Sequence, residues 1–102
     1  MLNGQMCTAS ARLLLQSTIA EDFTRKLKDI FEKTAEMAGC DPIDPSSAIV
    51  PVADTKQLQH VLQGLEIGNK NARLLTGVGR KGTNGRYVQP TIFVDVDEDS
   101  QL

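Results

Sequence analysis

Three of the chain's four prolines, Pro42, Pro45 and Pro51, fall within ten residues, and this cluster sets what the chain can build. Each proline fixes its own φ, withdraws a backbone donor and biases the residue before it away from the helical region. The segment from Cys40 to Pro51 therefore reads as a connection crossing the surface, with Gly39 as the cap of a helix that ends before it. It separates two stretches that each need their own secondary structure. A chain of 102 residues has length for one domain, in which about 65% of the unfolded surface can be buried.

Ahead of the connection, the apolar run Leu13-Leu14-Leu15 predicts a buried strand. Thr18-Ile19-Ala20-Glu21 is a capping-box pattern, in which a hydroxyl and a carboxylate each satisfy an orphan amide of a helix start. Ile19, Phe23, Leu27, Ile30, Phe31 and Met37 then keep helical spacing, while most of the charges fall elsewhere, predicting a helix from Ile19 to Ala38. A capped helix of that length is expected to be the best-protected element.

Beyond the connection, Asp54 with Gln57 three positions on marks a second helix start, and Leu58, Val61, Leu62 and Leu65 form its apolar face. Gly68 is its expected end. Ala72–Thr76 predicts a short strand, and the stretch from Gly77 to Arg86 a loop rich in glycine and basic residues with an Asn84-Gly85 turn. Tyr87-Val88-Gln89 and Thr91–Val96 predict strands interrupted by Pro90. The order is strand, helix, helix, strand, strand, an α/β pattern, followed by an acidic tail from Asp97.

A net charge of −2 provides no basic face for nucleic acid or an anionic membrane, and no apolar run has membrane-spanning length. Two cysteines, Cys7 and Cys40, with no N-glycosylation site and no secretory leader pattern, point to the cytosol. A single histidine, His60, without any Cys-X-X-Cys pair leaves no zinc ligand set, so no metal site is expected. His60 falls on the polar side of its helix.

Two stretches could carry chemistry. Gly77-Val78-Gly79-Arg80-Lys81-Gly82 has the spacing of a dinucleotide fingerprint and follows a strand. That motif needs a helix to open directly after it, and Thr83-Asn84-Gly85-Arg86 continues a turn instead, favouring an ordinary loop. The other is Cys7, with Gly4 and Gln5 before it and small residues after it. A lone thiol beside an apolar run is more commonly an inert core group. It becomes a nucleophile when a base supplied from elsewhere in a larger fold generates the thiolate.

The segment Asn3-Gly4-Gln5-Met6-Cys7-Thr8-Ala9-Ser10-Ala11-Arg12-Leu13-Leu14 resembles the active-site cysteine segment of the NAD(P)-dependent aldehyde dehydrogenases, where Gly-Gln-X-Cys leads to the nucleophile. The resemblance continues through the Gly39–Pro45 connection, the helix carrying Gln57, Leu74-Leu75-Thr76-Gly77 and Tyr87-Val88-Gln89-Pro90-Thr91-Ile92-Phe93. It implies that residues 1–102 are one part of that family's catalytic domain, such as a truncated reading frame would give. The Rossmann-like cofactor domain, the general-base glutamate and an oxyanion-hole asparagine would lie upstream and outside these residues.

By this resemblance Cys7 is the catalytic nucleophile that attacks an aldehyde substrate, and its backbone amide is half of the oxyanion hole. The cofactor is NAD or NADP, and the full-length parent is expected to be a homo-oligomer. Gln57 matches a position that in some members approaches the nicotinamide ribose. Its residue-level reading as the partner of an Asp54 cap stands beside that one. An alternative role for the whole chain is a catalytically dead fragment that pairs its exposed elements with a full-length relative.

Overall fold

The computed structural model describes residues 4–37, 49–82, 85–97 and 99–100. Among them the order is α1 (Ser17–Glu36), α2 (Thr55–Asn71), β1 (Arg73–Thr76) and β2 (Ile92–Val94). The strands pair antiparallel in one two-stranded sheet, with a bulge between Leu74 and Thr76. The unit is a small α/β piece, as expected. Gly39, Cys40, most of the proline-punctuated connection and Asn84 lie outside the described residues.

The leading strand of the expected order is not formed. Residues 13–15 have no strand geometry, and Leu13 and Leu14 are 57% and 96% exposed. A strand exists through its ladder partners, and no described residue pairs with this run. The helix that follows starts two residues early, at Ser17, with the Gln16 carbonyl accepting from Ile19 N–H at 3.1 Å. Gln16 is its N-cap and supplies no side-chain bond. Thr18 therefore lies inside the first turn, where its hydroxyl cannot act as a cap. At the other end Met37 closes the helix with an N–H bond to Thr34 O at 3.1 Å.

The second helix follows its sequence closely at the start. Asp54 is the N-cap and its carboxylate accepts from Gln57 N–H at 2.7 Å. It runs past Gly68 to Asn71, whose side-chain amide donates to Ile67 O at 2.9 Å. Gly68 is buried in the helix because the ring of Phe93 occupies the space a side chain would fill. A glycine read as a stop is a packing glycine.

The core is a cluster of Val52, Leu58 and Val88, with Val61, Leu62 and Leu65 packed against it. Val88 belongs to the expected strand Tyr87–Gln89, which is reduced to one antiparallel bridge with Arg80. Lys81 N–H donates to Tyr87 O and Gln89 N–H to Gly79 O, both at 3.0 Å. Pro90 has no amide to extend this ladder into β2.

α1 contributes no buried residue. It is tied beside the sheet by Thr76 Oγ1 donating to Glu32 Oε1 at 3.3 Å and by Lys81 Nζ donating to Ala35 O. Across the chain 7728 Å² stays accessible, about half of the roughly 16,000 Å² that an unfolded 11.1 kDa chain exposes. The core is thinner than the length alone predicts. Among the described residues no helix is long and apolar enough to cross a membrane.

Candidate active site

Cys7 sits in a turn. Gly4 adopts φ +75, open to glycine without steric cost, and Ala9 N–H closes onto Met6 O at 3.0 Å. Every residue from 4 to 10 is exposed, and the Cys7 thiol is free and exposed. The strand expected at Leu13–Leu15 does not stand behind it, since residues 11–16 run as irregular chain.

Hydrogen bonds from Gln5 do the holding instead. Its side-chain oxygen accepts from Ala53 N–H at 2.8 Å, and its amide nitrogen donates to Pro51 O at 3.4 Å. The amide thus reads the backbone of residues 51–53 much as a neighbouring strand would. Arg86 grips the same segment: its Nε donates to Val52 O and its Nη2 to Ala53 O, both at 3.0 Å, while Val52 N–H donates to Arg86 O at 2.8 Å. The next residue is the Asp54 cap. The turn carrying Cys7 is therefore moored at the mouth of α2.

Gln57 has its backbone N–H engaged by Asp54, and its half-buried side chain lines an open depression with Asp54, Lys56 and His60. Cys7 is not among the residues lining that depression. The two candidate residues are linked through the backbone of 53–57 and do not share one pocket. His60 is exposed.

The glycine-rich loop has spent its cations. Arg80 Nη2 donates to Gly85 O at 2.7 Å, Lys81 to Ala35 O, and Arg86 to residues 52 and 53. Three successive positive φ values, 92 at Gly77, 85 at Val78 and 99 at Gly79, make a tight reversal that leads to the Arg80–Val88 bridge and no helix. It is a structural loop, as its sequence context predicts.

Neither Gln5 nor Arg86 stands out by spacing as a pair. Their joint role depends on a backbone segment that both reach from distant parts of the chain. No periodicity carries such information.

The Aldehyde dehydrogenase family profile matches residues 1–102. The aldehyde dehydrogenase family 2 member C4 of Arabidopsis thaliana is 37% identical over 100 residues, covering 97% of this chain and 19% of the relative. Aldehyde dehydrogenase NAD(P)+ 2 of Saccharomyces cerevisiae is 34% identical over 105 residues, covering 98% and 21%. A 1-pyrroline-5-carboxylate dehydrogenase of a Geobacillus strain is 31% identical over 100 residues, covering 98% and 19%. The chain spans about one fifth of the length of the curated relatives it matches. With a match over its whole length and an exposed Gly-Gln-X-Cys turn held to the mouth of α2, the chain belongs to the aldehyde dehydrogenase family.

Proposed function

We propose that these residues form part of the catalytic domain of an NAD(P)-dependent aldehyde dehydrogenase and that Cys7 is its nucleophile. The observation that carries this is the free, exposed Cys7 thiol in a Gly-Gln-X-Cys turn inside the family match. The thin core supports the reading as one part of a larger domain, the cofactor-binding domain lying outside these residues.

In the proposed reaction the Cys7 thiolate adds to the aldehyde carbonyl carbon, forming the C–S bond as the carbonyl electron pair moves onto oxygen. The Cys7 backbone N–H donates a hydrogen bond to that oxygen. NAD or NADP, when bound, supplies the hydride acceptor that oxidises the former aldehyde carbon. Cys7 then carries the acyl group as a thioester. Water adds to it, the C–S bond breaks, and the carboxylic acid leaves with the thiolate restored and one proton of the water released to solvent.

Gln57 lines the depression with Asp54, Lys56 and His60, and its side-chain amide can both donate to and accept from the hydroxyls of a ribose. It is the residue of this chain that would hold the nicotinamide ribose. The parent is read as a cytosolic homo-oligomer.

A second reading, a catalytically dead fragment acting through its surfaces, is favoured by one observation. Ile19, Phe23 and Ile30 of α1, with Met37, are 40% to 58% exposed. Exposed apolar groups of this kind on one element call for a covering partner. A chimera separates the two: residues 1–102 replace the matching fifth of the Arabidopsis relative, and NAD(P)H formation from acetaldehyde and benzaldehyde is followed. The enzyme reading expects turnover that vanishes in Cys7→Ser. A folded chimera with no turnover supports the dead fragment.

A further inference from the structure

We infer that Arg86 is a positioning residue for the Cys7 thiol, acting through Ala53 and Gln5; its importance for chemistry rests on the reading of Cys7 as nucleophile. The path consists of hydrogen bonds between named atoms. The Arg86 guanidinium donates to Val52 O and Ala53 O, both at 3.0 Å, and its own carbonyl accepts from Val52 N–H at 2.8 Å. Ala53 N–H donates to Gln5 Oε1 at 2.8 Å, and Gln5 Nε2 donates to Pro51 O at 3.4 Å. Cys7 follows two residues later.

Burial does not hold the thiol segment, because residues 4–10 are all exposed. Burial does hold the far end, since Val52 is 2% exposed in the core cluster. Arg86 stands between the two. Two N–H donors fixed in one guanidinium plane set the orientation of the Val52 and Ala53 peptide groups, as a single lysine ammonium could not. That orientation aims Ala53 N–H at Gln5. If the peptide groups rotate, the Gln5 amide loses an acceptor and a donor together, and the turn around Cys7 is released.

The test uses the full chain with Cys40→Ser and a nitroxide attached to Cys7. A reference label at Gln63→Cys, on the exposed side of α2, is placed in a chain with Cys7→Ser and Cys40→Ser. Arg86→Met, Arg86→Lys, Gln5→Met and Arg80→Met are compared by electron paramagnetic resonance. Arg86→Met and Gln5→Met should each shift the label at Cys7 toward its mobile state by roughly tenfold in the mobile-to-ordered ratio, the factor that goes with one lost charge-assisted or paired hydrogen bond. Arg86→Lys should shift it the same way. The double variant should add little, because both residues lie on one path. The Gln63 label and the Arg80→Met chain should not change.

An unchanged Cys7 label in folded Arg86→Met overturns the inference. So does equal loosening of the Gln63 label, which would make the role merely structural. Should Arg86→Met fail to fold, Arg86→Lys decides by the same two criteria. The label reads placement without turnover. Cys7 could fail as a nucleophile in the chimera while this result stands, and the reverse also holds.

Discussion

Gly68 of α2 lies against the ring of Phe93 in β2, so closely that a Cβ on the glycine would sit 2.4 Å from Phe93 Cε2. Helix and sheet meet at this point because one residue has no side chain. Gly64, one turn earlier in the same helix, has open space where a Cβ would stand, with nothing within 4 Å. Gly64→Ala should therefore stabilise the chain by up to about 1 kcal/mol through helix propensity alone. Gly68→Ala gains the same propensity and meets overpacking of about 1–3 kcal/mol, for a net loss. Urea titration of both variants checks the contrast. Stabilisation by Gly68→Ala would mean that α2 and β2 do not pack this way.

The two helix starts differ in the same measurable way. Asp54 caps α2 with a bond to Gln57 N–H, so Asp54→Ala should cost about 1 kcal/mol. Gln16 caps α1 with no side-chain bond and already has extended backbone, φ −64 and ψ 135. Gln16→Asp should then gain up to about 1 kcal/mol, by capping and by placing a negative charge at the helix N-terminus. Helix content followed by circular dichroism against temperature gives both numbers. A loss of stability in Gln16→Asp would contradict the observed start at Ser17.

Protection from amide exchange should follow burial and not helix length. α1 is the longer helix and has no buried residue, whereas α2 has Leu58 and Gly68 buried and packs on the core. Amides of α2, with Val52 N–H bonded to Arg86 O, should exchange more slowly than those of α1. Exchange measured residue by residue would refute this if α1 outlasted α2. Periodicity alone points to the first helix as the most protected element, and the exposure of its apolar face reverses that order.

What could be read from the sequence was local. The Asp54 cap, the apolar face from Leu58 to Leu65 and the turn nature of the glycine loop all depend on neighbours within a few positions, and all are found. Leu13–Leu15 misled because apolar content marks burial only when something covers it, and a strand forms only with a partner. Gly68 misled because its meaning depends on Phe93, which is distant in sequence. At the candidate site, Cys7 and Gln57 could be named from a motif and a resemblance. The mooring of Cys7 through Gln5, Ala53 and Arg86 could not, since it consists of long-range contacts to backbone atoms, which any residue type provides.

The isolated chain should not turn over. Under the proposed mechanism the general base and the asparagine half of the oxyanion hole come from outside residues 1–102, and losing such groups commonly costs about 10²–10³ in rate each. Purified chain incubated with NAD or NADP and acetaldehyde or benzaldehyde should form no detectable reduced cofactor. Turnover abolished by Cys7→Ser would show that the local segment suffices.

That Cys7 carries the acyl group is tested most directly by trapping it. The chimera with the Arabidopsis relative is mixed with benzaldehyde and NAD or NADP, quenched in acid during turnover, digested and analysed by mass spectrometry. A benzoyl thioester is expected on the peptide containing Cys7, lost after treatment with hydroxylamine and missing from the Cys7→Ser chimera. A chimera that oxidises benzaldehyde equally well with serine at position 7, and never shows an acylated Cys7 peptide, would contradict the assignment.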